Sequence, residues 1–249
     1  MSQLSVDQKL SLAQELSDGT VDKIVAKYAM KEVLASDGGP FMTLISHLPM
    51  AQGVVGKVRI FAGGPLHKLV TCSIVVPQIQ LDSHMLYGFM PADSAVPHFT
   101  LDSVKAGEHF AFHLDLTPRV DLGAHTDYMN QVFWPLTDKF NAAEALDGIE
   151  QAHISPRQRA IMSPWMLVHR ATETAFKTLF SHVDGYLKYW YGLVDQGVDS
   201  PVSATELAVR DKANRAAIFS PEIDPVWKRI EGLIGTPASE QLRAILRGE

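Results

Sequence analysis

Apolar positions change their period twice along this chain. At the N-terminal end they recur with helical spacing: Leu4, Leu10, Leu12 and Leu16 mark one segment, and Val21, Ile24, Val25, Tyr28 and Val33 a second. Gly38-Gly39-Pro40 closes that region. From about residue 54 to 118 the period shortens. VVGKVRIFA, HKLVTCSIVV, IQLDSHMLYGF, PHFTLDSV and EHFAFHLDLTP are β-branched or aromatic runs separated by Gly and Pro breaks. The last alternates cleanly, with Phe110, Phe112, Leu114 and Leu116 on one face and Ala111, His113 and Asp115 on the other. Strands this close, with no helix between them, predict antiparallel pairing.

After Thr126 the helical period returns. Ser155-Pro156, Ser163-Pro164, Asp224-Pro225 and Thr236-Pro237 each fit an N-cap followed by proline at the first helical position. Residues 165–194 read as one or two helices, and 197–203 as the most loop-like interval. The expected fold is α/β (α+β): a three-layer α/β/α sandwich around a central antiparallel sheet of about six or seven strands. No boundary divides it, so residues 1–249 are expected to form a single domain.

Composition narrows the function. At 46% hydrophobic and 20% charged, the chain can bury a large core. No apolar window reaches the ~18 residues of a membrane span, and the polar start does not resemble a signal peptide. The single cysteine, Cys72, can form no internal disulfide and hold no cluster; in its strand context it reads as a small buried hydrophobe. A cytoplasmic setting is expected. The net charge of -6 and the lack of a basic run argue against nucleic acid and acidic membranes as partners. No dinucleotide fingerprint, Walker A loop or nucleophile elbow occurs. The histidines lack metal-ligand spacing: His109 and His113 fall in a strand with no suitable partner, so no metal is expected.

What remains is polar residues on apolar segments. Asp102 interrupts PHFTLDSV, Asp115 interrupts FAFHLDLTPR, and Asp224 stands at a helix start. Arg119, Arg170 and Arg215 occupy apolar or turn contexts. A carboxylate in a half-buried strand must be paired, exposed or functional. Capping alone accounts for Asp224.

Three stretches together carry a family resemblance. They are PHFTLDSV with FHLDLTPRVDL and Asp127-Tyr128; MSPWMLVHR; and LKYWYGLV with RDKANR and DPVWKRIEGLIG. In this order, from about Tyr87 to the C-terminus, they resemble the red chlorophyll catabolite reductases and, more distantly, the ferredoxin-dependent bilin reductases. The resemblance implies an α/β/α sandwich that binds an open-chain tetrapyrrole between sheet and C-terminal helices. It implies no bound cofactor, electrons taken singly from ferredoxin, and protons from carboxylic acids. Asp102 and Asp224 fall where the family has its catalytic acids. Arg119 matches an arginine of the chlorophyll-catabolite branch and Arg170 falls close to another; either would hold a ligand carboxylate. His84 lies near, but not at, the position of a proton-donating histidine. His98 and Trp165, within the matching stretches, complete the expected substrate contacts.

The acidic chain departs from this pattern, because a docking face for acidic ferredoxin should be basic. Arg157, Arg159, Lys177, Lys188, Arg210 and Lys212 are the residues from which such a patch would be built. Two acids can also do redox-neutral work. A cofactor-independent lyase or decarboxylase acting on an aromatic compound is therefore the alternative, and a ligand-binding protein without turnover the third reading. A planar aromatic or tetrapyrrole ligand is the expected partner, with ferredoxin and a second copy of the chain also admitted.

Overall fold

The computed structural model describes residues 10–249, so Leu4 lies outside the described residues. Ser11 opens α1 (Leu12–Tyr28), its hydroxyl accepting the Gln14 N–H. Nine strands follow in the described residues: β1 (Lys31–Val33), β2 (Met42–Ser46), β3 (Gly53–Gly63), β4 (Leu66–Val76), β5 (Leu81–Phe89), β6 (His98–Ala106), β7 (His109–Thr117), β8 (Ile149–Gln151) and β9 (Leu167–Ala171). They form one sheet in the order β1-β3-β4-β5-β6-β7-β9-β8, with β2 also pairing β3, and every pairing is antiparallel. The expected architecture is present, with more strands than the pattern predicts. The extra ones are short. β8 and β9 come from the segment read as helical, where Leu167–Ala171 completes the edge beside β7 before the helix begins. Val33, expected in a helix, is in β1.

The helices are α2 (Thr126–Val132), α3 (Thr137–Glu144), α4 (Pro156–Arg159), α5 (Glu173–Gln196), α6 (Ala204–Ile218), α7 (Val226–Ile234) and α8 (Thr236–Arg247). The alternation of the strands sends side chains to two cores. Phe99, Leu101, Phe110, Phe112, Leu114 and Leu116 pack with α1 and with Phe176, Leu179, Val183 and Trp190 of α5. Cys72, Met85, Tyr87 and Phe89 face the other way, onto Trp227, Ile230 and Leu233 of α7 and Leu242 and Leu246 of α8. Trp190 is fully buried, and its indole N–H donates to Pro97 O at 2.8 Å. Replacing it with Ala would cost about 3–5 kcal/mol through lost burial and the void left behind.

The proline signals have mixed outcomes. Ser155 starts α4 with a capping box closed by Gln158. Ser163-Pro164 starts no helix; Ser163 Oγ accepts the Trp165 N–H in a local turn. Asp224 Oδ1 accepts the Val226 N–H at 2.9 Å, as a cap does. At α8 the N-cap is Gly235, and Thr236 turns its hydroxyl to Glu231.

Candidate active site

A cavity of about 570 Å³ opens between the second face of the sheet and the C-terminal helices. Its floor comes from alternate positions of three adjacent strands: Tyr87 and Phe89 of β5, His98, Thr100 and Asp102 of β6, and His113 and Thr117 of β7. Its wall is the 152–166 connection, through Ile154, Gln158, Met162 and Met166. Its roof carries Phe219, Asp224, Trp227 and Arg229. Asp102 and Asp224 are 122 positions apart in sequence and meet at this one cavity, from floor and roof.

Register supplies the partner of Asp102. It stands opposite Met85 on β5 and His113 on β7. His113 Nδ1 lies 3.5 Å from Asp102 Oδ2. Burial alone would lower the imidazole pKa, but the hydrogen-bonding contact and charge of Asp102, with the charges of Asp115 and Asp224, outweigh it. The net direction is up. Asp102 Oδ1, His113 Nε2 and Thr117 Oγ1 are buried without protein partners, so each has hydrogen-bonding capacity to offer a ligand. The Asp224 carboxyl is also raised, first by burial and then by Asp102; the Val226 N–H, His113 and Arg229 pull against this. A cavity with an imidazole that favours its proton and a carboxyl that favours its own can donate protons from two sides.

His98 is at the cavity but cannot be a donor. Its Nδ1 accepts the Met90 N–H at 3.0 Å, which leaves Nε2–H to donate to Asp211 at 2.7 Å. Burial, then the nearby Arg119 charge, lowers its pKa to about 3, so it stays neutral. The same network absorbs Arg119, which was expected to hold a ligand anion. It is 2% exposed. Its guanidinium donates to Pro91 O and Ala92 O and lies 3.3 Å from Asp211. It ties the loop before β6 to α6 and is not among the lining residues.

The other expected contacts also lie away from the cavity. Arg170 is exposed on β9, two residues beyond the lining Val168. Trp165 belongs to the core on the opposite face, stacked on Phe133, with Nε1 donating to Thr137 Oγ1. His84 points to that opposite face as well, because it alternates with Met85 and Tyr87. There it bridges Ser73 Oγ at 3.1 Å and Asp82 at 2.5 Å. The histidine at Asp102 therefore comes from the strand after it. His113, Thr117 and Arg215 line the cavity without having been singled out as contacts. The alternation of FAFHLDLT put His113 on the polar side of β7; what it lacked was the strand order.

Among the described residues, no three His, Cys, Asp or Glu side chains converge as metal ligands. No described helix is long and apolar enough to cross a membrane.

No protein-family model matches the chain, and none of the curated proteins is similar to it in sequence. The fold, by contrast, is one already seen. It is shared with the crystal structure of selenomethionine phytochromobilin synthase from tomato in complex with biliverdin. The TM-score is 0.73 at 17% identity, covering 94% of this chain and 82% of that one.

Proposed function

We propose that this chain reduces a linear tetrapyrrole or a related planar conjugated compound. Electrons come singly from ferredoxin, no cofactor is bound, and protons come from the Asp102–His113 pair and from Asp224. The observation that carries this reading is that Asp102 and His113 on the floor and Asp224 on the roof face one cavity. The likeness in fold to a synthase that binds biliverdin supports it.

Each reduction takes two electrons and two protons. The first electron turns the conjugated ligand into a basic radical anion. A proton from His113 or Asp224 then forms a C–H bond and neutralises it, and a second electron and proton complete the step. Ferredoxin is oxidised once per electron, and the spent donors regain their protons from water. Fixed acids on two sides allow protonation at two different positions of one ligand. Arg229 at the roof, and Arg157, which donates from the wall segment to Glu222 O, put positive charge beside the cavity. Such charge suits an acidic electron donor.

Cavity size weighs against the lyase or decarboxylase alternative. An apolar cavity of ~150 Å³ takes one benzene ring, and this one is nearly four times larger. It falls in the ~300–1,000 Å³ range of small-molecule sites. Both acids facing one space also weigh against a carrier without turnover. The test is to mix the purified chain with biliverdin and follow the visible spectrum with and without reduced ferredoxin. Binding alone should shift the bands, and reduced ferredoxin should convert them to those of a shorter conjugated system. A spectrum indifferent to reduced ferredoxin would remove the reductase reading.

A further inference from the structure

One further buried acid stands beside the site and acts on His113 through its charge. Asp115 is 0% exposed, near the C-terminal end of β7. The pleat places it on the face that carries His113 and Thr117, two positions from each. It is not itself a lining residue. Its Oδ2 accepts the Ser163 N–H at 3.1 Å, while Oδ1 is buried with no partner. A carboxylate so placed is costly to keep unless its charge is used.

Its two neighbours both belong to the site. Ser163 is in the 152–166 connection that walls the cavity, a segment held also by Asn214 to Ile161 O and by Arg157 to Glu222 O. His113 is the imidazole on the cavity floor. Mere anchoring of the wall would be served as well by a neutral asparagine, whose side-chain oxygen also accepts an N–H. The ionisable group is what calls for a reason.

We propose that Asp115 is a positioning residue for His113: from beside the cavity floor it supplies counter-charge that keeps the imidazole protonated, and through Ser163 it links that charge to the cavity wall. This rests on His113 being a donor in the proposed reaction, but the charge on His113 can be read without any ligand. The groups facing the imidazole are Asp102 from β6, Asp115 from its own strand and Asp224 from the segment before α7. The Ser163 N–H bonds Asp115, and Tyr186 of α5, on the other side of the sheet, lies within reach of its charge. Burial raises the Asp115 carboxyl, opposed by the His113 charge and by the bonds from Ser163. Each charge favours the other: the imidazolium holds the Asp115 carboxyl down against burial, and the carboxylate holds the His113 imidazole up.

The experiment is an NMR titration of His113 in the ligand-free full chain, using ring-labelled histidine, for wild type, Asp115→Asn and Asp115→Glu. Removing one negative neighbour should lower the midpoint by about one pH unit in the Asn variant, and Glu should restore much of it. The Ser163 amide should stay protected from exchange in Asp115→Asn. The pH profile of biliverdin reduction should shift down in parallel. An unmoved His113 midpoint overturns the proposal and leaves Asp115 as a wall anchor. Should Asp115→Asn fail to fold, Asp115→Ser, also neutral and with an oxygen able to accept the Ser163 N–H, takes its place. That variant must lower the midpoint too, and no change there also overturns the proposal. A midpoint that moves in a protein inert toward biliverdin would sink the reductase reading and leave this one standing.

Discussion

Asp102 and His113 stand directly across from one another on neighbouring antiparallel strands, carboxylate and imidazole 3.5 Å apart at the floor of the cavity. Cross-strand neighbours sit at one height on one face, so the pair is set by backbone register and costs little further ordering. Replacing Asp102 with Asn keeps the shape and removes the charge. The His113 midpoint should fall, and biliverdin should still bind. Single-turnover reduction should slow by ~10²-fold or more, the scale of a lost general acid. A variant reducing biliverdin at the wild-type rate would take Asp102 out of the chemistry.

Asp224→Asn separates capping from catalysis. Asn accepts the Val226 N–H as Asp does, so α7 should be undisturbed. The folded carboxyl is raised. Its contribution to stability is therefore present below the ordinary carboxylate range and is lost as pH rises through the folded value. The Asn variant should melt at or above the wild-type temperature near pH 7, and the difference should close as pH falls toward the unfolded carboxylate value. His113, also raised, gives the wild type a slope of the same sign at higher pH. Calorimetric melting across pH checks the trend; an Asn variant that is less stable at pH 7 and recovers nothing in acid would contradict it. Turnover should fall ~10²-fold while binding persists.

The network behind His98 is a stability element. Asp211 lies 2.7 Å from His98 Nε2, 3.3 Å from Arg119 and 3.6 Å from Arg215, with all four residues buried. Asp211→Ala would leave two buried guanidinium groups without their shared counter-ion. Urea denaturation should show a loss of about 3–5 kcal/mol. A loss below about 1 kcal/mol, the range of an exposed pair, would mean that water already screens the cluster.

Arg170→Ala provides the contrast. The side chain is exposed and does not line the cavity. Stability should change by no more than about 0.5 kcal/mol, and a biliverdin titration should give an unchanged dissociation constant. A tenfold weaker complex would restore Arg170 as a ligand contact.

Period and composition made the layers legible. Runs of alternating residues between Gly and Pro breaks have few ways to bury their apolar sides other than as an antiparallel meander, and β3 to β7 follow it in chain order. β8 and β9 were not legible, because strands of three and five residues inside a helical stretch carry too few periods to register. The acids were legible too: Asp102 as a charge on an apolar strand, and Asp224 through the resemblance. The contacts were not. Arg119 looked free because its partners, the carbonyls of Pro91 and Ala92 and the carboxylate of Asp211, are assembled from distant segments.

The sequence by itself determined which residues alternate, and so that His113 and Asp115 share a face opposite Phe112 and Leu114. Only the tertiary structure decided which strand lies beside which, and hence that His113 rather than His84 reaches Asp102. A side chain's direction follows from a period of two within its own strand. Its cross-strand neighbour follows from register, and register is settled by both cores packing at once. His84, one residue before Met85, is turned by that same period to the opposite face, against Ser73 and Asp82.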